Sequence, residues 1–230
     1  MKLALTVTAA LLMQGGAAMA QTCAIPRDLR PPVAESPPHS EIVRDEPTTA
    51  YMLALTWSPQ WCQGRADARN ARIQCRDNRF GFVLHGLWPN GAGKRHPRYC
   101  APAPPLSVAT VRRHLCMTPS PDLLQHEWAA HGTCGWRTAE AYFAKAAELW
   151  ASVEKPSLAF ATGRRVTAGD VRRAFVTANP GLRPNGVYVK VAKGGWLEDV
   201  RICYDQSFRP APCRGGVGAP DRAPVRVRGI

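Results

Sequence analysis

Gln125-His126-Glu127-Trp128-Ala129-Ala130-His131-Gly132-Thr133-Cys134 places two histidines and a glutamate within six residues and ends on a cysteine. The residues before it start a helix. Ser120 is a hydroxyl cap, Pro121 takes the first helical position, and Asp122 puts an acid in the first turn. A helix is predicted over Leu123 to His131, with Gly132 as its stop. Leu123, Leu124 and Trp128 can anchor it to a core. Glu127 and His131 are four apart and share a face; His126 is one step of about 100° round from Glu127. About forty residues upstream, Phe82-Val83-Leu84-His85-Gly86-Leu87-Trp88-Pro89-Asn90 carries another histidine just past the end of a strand. The two stretches are expected to face each other across one site.

Two chemistries use such residues. A zinc protease helix needs His-Glu-x-x-His, with both histidines on one face. Here the spacing is His-Glu-x-x-x-His, and on a helix that offset splays the rings by roughly 140°. The register argues against it. Imidazole titrates near neutrality and serves as either base or acid. A histidine pair can therefore cut RNA without metal. One takes the 2′ proton as the 2′-oxygen attacks phosphorus, and the other protonates the departing 5′ oxygen. Negative charge gathers on the phosphoryl oxygens, so donors aimed there lower the barrier.

The rest of the chain sets the context. Lys2, the apolar run Leu3 to Met13 and Ala18-Met19-Ala20 read as a signal peptide over residues 1–20. No later segment is apolar enough to span a bilayer, so no membrane association is expected. About 210 residues remain, enough for one domain with a real core. All eight cysteines lie in that part, and in an exported chain they read as four disulfides. No Cys-x-x-Cys pair points to structural zinc. A net charge of +13 favours a polyanionic partner without choosing one.

Residues 21–48 are proline-rich and read as an extended arm tied down only by Cys23. Strands are predicted at Tyr51 to Trp57 and Phe80 to Leu84, and at Gly186 to Lys193 and Trp196 to Tyr204, the last two as a hairpin. Helices are predicted at Ser107 to Leu115, Thr138 to Val153 and Thr167 to Ala178. His96 and His114 are taken as surface residues, and the arginines of 65–79 and 164–173 as solvated faces. Residues 214–230, rich in Gly, Pro and Arg, read as a flexible basic tail. The fold class is α+β, a central antiparallel sheet flanked by helices and stapled by disulfides, with the catalytic domain at 49–213.

The segments 82–89 and 126–134, together with Leu53 to Cys62 and its Trp-x-Pro-x-x-Cys ending, resemble the ribonuclease T2 family. The resemblance covers roughly residues 50–213. It implies endonucleolytic cleavage of single-stranded RNA through a 2′,3′-cyclic phosphate, with no metal and no cofactor. Carried over by motif, His131 would be the general base and His85 the general acid. His126 would hold the phosphate, and Glu127 would support the transition state. Trp88 would stack on a base, and Asn90 stands where relatives often have an acid that reads the base. The resemblance also implies a Cys100–Cys134 bridge. Proximity suggests Cys62–Cys75 and Cys203–Cys213, which leaves Cys23–Cys116.

One position departs. Relatives read His-Glu-Trp-x-Lys-His, and here the lysine is Ala130. Losing one preorganised charge costs roughly 10²–10³ in rate. Lys94, Arg95 or Lys190 could supply it instead, and restoring lysine at 130 is expected to raise turnover. The expected protein is a monomeric endoribonuclease, periplasmic or secreted. The alternatives are an RNA-binding protein on the same fold with catalysis weakened or lost through Ala130, and a basic exported protein acting on another polyanion.

Overall fold

A computed structural model describes residues 23–230; the expected signal peptide lies outside the described residues. In chain order the elements are β1 (Ala50–Trp57), α1 (Ser58–Trp61), α2 (Arg72–Cys75), β2 (Phe82–Asn90), α3 (Val108–His114), α4 (Pro121–Ala130) and α5 (Ala139–Ser152). They continue with β3 (Val166–Thr167), α6 (Ala168–Ala178), β4 (Val187–Ala192), β5 (Trp196–Tyr204) and β6 (Pro224–Val225). Four strands form an antiparallel sheet in the order β2-β1-β5-β4. Among the described residues no helix is long and apolar enough to cross a membrane.

Alternation sorts the sheet's residues. Leu53, Leu55, Leu84, Leu87, Val200 and Ile202 are fully buried and join Phe143, Leu149 and Phe175 in the main core. The opposite face carries Met52, Thr56, Trp88, Asp199 and Arg201, and this face holds the site. Fully burying each large apolar side chain contributes about 1.5–3 kcal/mol. Ser120, Thr138 and Thr167 cap α4, α5 and α6 with side-chain bonds of 3.2 Å each.

β2 runs to Asn90, past the predicted end at Leu84. It is an edge strand, so Pro89 costs no ladder bond inside the sheet. Its pairing with β1 slips at one place: Leu55 opposes Leu84 and Ala54 opposes Gly86, leaving His85 as the extra residue. This bulge sends both Leu84 and Leu87 into the core while His85 and Gly86 open on the other face.

Four disulfides join Cys23–Cys116, Cys62–Cys75, Cys100–Cys134 and Cys203–Cys213. Four expectations are corrected. Residues 214–230 are not a loose tail: β6 pairs with β3, and Val225 and Val227 are buried. Arg172 is no solvated arginine; it lies buried, donating to the carbonyls of Val187, Val217 and Ala219 and pairing with Asp221. His114 is buried too, stacked on Phe143 at 5.0 Å. The arm is fastened well beyond Cys23, since Val43 and Arg98 exchange two main-chain bonds of 2.9 and 2.8 Å.

Candidate active site

The bulge and the end of α4 bring the predicted residues together. α4 stops at Ala130, and His131 leaves helical geometry at φ −122°, ψ −45°. The splay expected for a continuous helix is therefore undone. His126 and His131 come to 6.2 Å between ring centroids, and one ligand atom each from His126, Glu127 and His131 lies within 4.8 Å of the others. Such a trio could also hold a divalent cation, although its register differs from a zinc-protease helix.

Glu127 is at the centre. It is 1% exposed, accepts from Trp88 Nε1 at 2.8 Å through Oε2, and presents Oε1 to His85 Nε2 at 3.5 Å. Burial pushes its pKa up to about 8, so near neutrality the carboxyl keeps its proton. Glu127 Oε1 and His131 Nδ1 are buried without hydrogen-bond partners among the described residues. Buried polar atoms left unmet cost about 1–3 kcal/mol each, which a bound ligand can recover. Gly86 opposes this carboxyl because any β-carbon there would overlap it.

Burial in the cleft pulls the His85 pKa down to about 4, against the pull of Asp199. Its tautomer follows from its neighbours. The Asp199 carboxylate, paired with Arg201 at 3.1 Å, accepts a hydrogen bond from the Thr56 hydroxyl at 2.9 Å. Thr56 Oγ1 then has only lone pairs for His85 Nδ1, 3.4 Å away, so Nδ1 carries the hydrogen and Nε2 faces Glu127. Burial also holds His131 well below the usual imidazole range, helped by the charges of His126 and Arg98.

Trp88 stands between His85 and His131, with centroid separations of 5.1 and 5.6 Å, and Arg201 lies over its ring at 4.8 Å. Two hollows flank the histidines. One, about 660 Å³, is lined by Trp88, Asn90, Lys94, His96 and Arg201; the other, about 320 Å³, by Thr56, His85, Ser120 and His126.

Ala130 is fully buried beneath Tyr99 and Ile42. Tyr99 adopts a left-handed φ of 52°, held there as its N–H donates to the Ala130 carbonyl at 3.0 Å. Of the cations named from the sequence, Arg95 pairs with Asp45 at 3.0 Å and Lys190 with Glu198 at 2.7 Å, while Lys94 lines the larger hollow. The charges that bear on Glu127 and His131, and on His85, include Arg98 and Arg201. Sequence reasoning missed Arg98, Arg201, Thr56, Asp199 and Glu35. Thr56, Asp199 and Arg201 could have been found from strand alternation once β1 and β5 were paired; nothing local marks Arg98 or Glu35.

Residues 48–167 match the Ribonuclease T2 family, and the chain belongs to it. It is 32% identical over 180 residues to a protein of Haemophilus influenzae named "Probable ribonuclease". That alignment covers 73% of this chain and 62% of the Haemophilus protein, so it spans under two thirds of that relative. Trichomaglin, described as an S-like ribonuclease, superposes with a TM-score of 0.62 at 18% identity, over 79% of this chain and 98% of its own. RNase NT, solved with 5′-AMP, gives 0.55 at 20% identity, over 80% and 99%. At these identities the structures establish the fold, which is α+β and ribonuclease T2-like.

Proposed function

We propose that the protein is an exported, metal-independent endoribonuclease acting on single-stranded RNA. The observation that carries this is the convergence of His85, Glu127 and His131 around Trp88, each placed by a different local device. Four disulfides support an oxidising location, periplasmic or extracellular.

In this reading His131 takes the proton of the 2′-hydroxyl. The 2′-oxygen bonds to phosphorus, the bond to the 5′ oxygen breaks, and His85 Nε2 gives that oxygen its proton. The products are a 2′,3′-cyclic phosphate and a free 5′-hydroxyl. His85 must first be protonated, and an entering phosphate favours this because its negative charge raises the imidazole pKa. His126 holds the phosphate. Glu127, protonated near neutrality, donates to a phosphoryl oxygen as charge develops there. Trp88 and Asn90 line the hollow offered to a base, where stacking contributes about 1–3 kcal/mol. Arg98 and Arg201 supply positive field at a cleft that lacks the family lysine.

The test is an assay on single-stranded RNA in excess EDTA. Cyclic-phosphate ends are expected, with no cleavage of DNA, and His85→Ala or His131→Ala should lower turnover by about 10³-fold or more. A requirement for added metal would overturn the mechanism. Binding of RNA with no turnover would favour the alternative, a binding protein weakened at Ala130.

A further inference from the structure

The arm lies almost wholly outside the residues matched to the family, yet it puts a carboxylate into the cleft. Both oxygens of Glu35 stand against His126 Nδ1, at 2.9 and 3.1 Å. The Tyr99 hydroxyl donates to Oε1 at 3.2 Å. Each side chain of the Glu35–His126 pair is 31% exposed, so the contact is half-sheltered from water.

The segment is fastened on both sides of Glu35. Upstream, the Cys23–Cys116 bridge holds it, and Ala24 and Asn78 exchange bonds of 2.6 and 3.2 Å. Downstream, Val43 pairs with Arg98, and Glu41 meets the Arg98 guanidinium at 3.3 Å. Pro31, Pro32, Pro37 and Pro38 flank the glutamate and fix φ at their own positions, so little freedom is lost in holding it there.

We infer that Glu35 is a specificity-determining residue: a resident carboxylate on His126 that every substrate phosphate must displace. This rests on the reading of the cleft as a ribonuclease site. A carboxylate already held beside His126 competes with an incoming phosphate intramolecularly, without the loss of freedom that the phosphate must bear. A small phosphate brings few contacts with which to overcome that competitor. An RNA strand brings bases to the hollows beside Trp88 and Thr56, and its binding displaces the carboxylate. After cleavage Glu35 returns to His126 and helps expel the terminal phosphate.

The experiment uses the full chain and the variants Glu35→Gln and Tyr99→Phe. Affinity for inorganic phosphate is measured by calorimetry, and KM and kcat on a dinucleoside monophosphate and on a long RNA. Glu35→Gln should bind phosphate about tenfold more tightly, with a similar fall in KM for the dinucleotide and a smaller change for the polymer. The change should fall on KM rather than kcat. Tyr99→Phe, which loosens the carboxylate without removing it, should move phosphate affinity the same way by less. Unchanged or weaker phosphate binding in Glu35→Gln overturns the inference, as does a loss of kcat at constant KM. Failure of the ribonuclease reading looks different: the wild type would not cut RNA, while the direct phosphate titration would still report on Glu35.

Discussion

Replacing Gly86 with alanine tests the site's packing most directly. The added carbon would overlap Glu127 Oε2, stand 2.5 Å from Glu127 Cδ and 2.9 Å from Trp88 Nε1. Glu127, being buried, has no room to retreat, and Trp88 can move only toward the hollow it lines, away from its bond to Glu127. Overpacking costs roughly 1–3 kcal/mol, and parting the Trp88–Glu127 bond in a buried place roughly 1–3 more. For a chain of this size about 2–6 kcal/mol lowers the melting temperature by roughly 4–24 °C. Turnover should fall by about 10²-fold, because Glu127 and both flanking rings shift together. Gly181→Ala is the control, as its added carbon meets nothing within 4 Å. Thermal melts and cleavage of single-stranded RNA read both effects. A Gly86→Ala protein with the melting temperature and rate of the parent would refute the geometry.

Thr56→Val removes the acceptor opposite His85 Nδ1 and should lower kcat/KM about tenfold, with Thr56→Ser restoring it; equal losses in both variants would mean the hydroxyl does not orient the ring. Glu127→Gln should change how stability depends on pH. The folded pKa, about 8, lies above the ordinary 4.5, so this group's contribution is complete below 4.5 and is lost as pH rises through 8. The neutral amide escapes that loss, so denaturant titrations should show the variant gaining on the parent by roughly 2 kcal/mol or more across that window, and parallel curves would sink the argument. Ala130→Lys, expected from the sequence to speed turnover, should instead lower the melting point without raising the rate. Its amine would enter the apolar contact of Tyr99 and Ile42, at a cost of roughly 2–4 kcal/mol; a faster, equally stable variant would disprove this.

The regular elements were legible where local rules agree. Ser120-Pro121-Asp122 starts α4, and the alternating valines of β4 turn through Gly194 and Gly195, both at positive φ, into β5. The histidines and Glu127 were visible because their neighbours form a distinctive pattern. Their geometry was not. His85 read as a strand's end because a bulge leaves no signature in one strand alone, and His131 read as helical because Gly132 marks a stop only to within a residue. The closing segment was misread for a different reason. Its glycines and prolines suggest disorder, yet Val225 and Val227 alternate with Arg226 and Arg228, the period of a half-buried strand. Glu35 and Arg98 had no local signal at all, since each acts only through a partner distant in the sequence.

The closing segment also bears on when the fold can exist. Trp57, at the end of the first strand, donates its indole N–H to the carbonyl of Arg228 at 3.0 Å, and Leu197 donates to Arg226 at 2.9 Å. β2 flanks Thr56 on one side, but the strand on its other side is β5, whose Asp199 lies 143 residues further along. A nascent chain that has already made all its histidines still lacks Asp199, and then lacks the strap that seals Trp57. Assembly of the cleft therefore waits until residues 199–228 have been made, and fragments that stop short of them hold the reactive groups without the frame that aligns them.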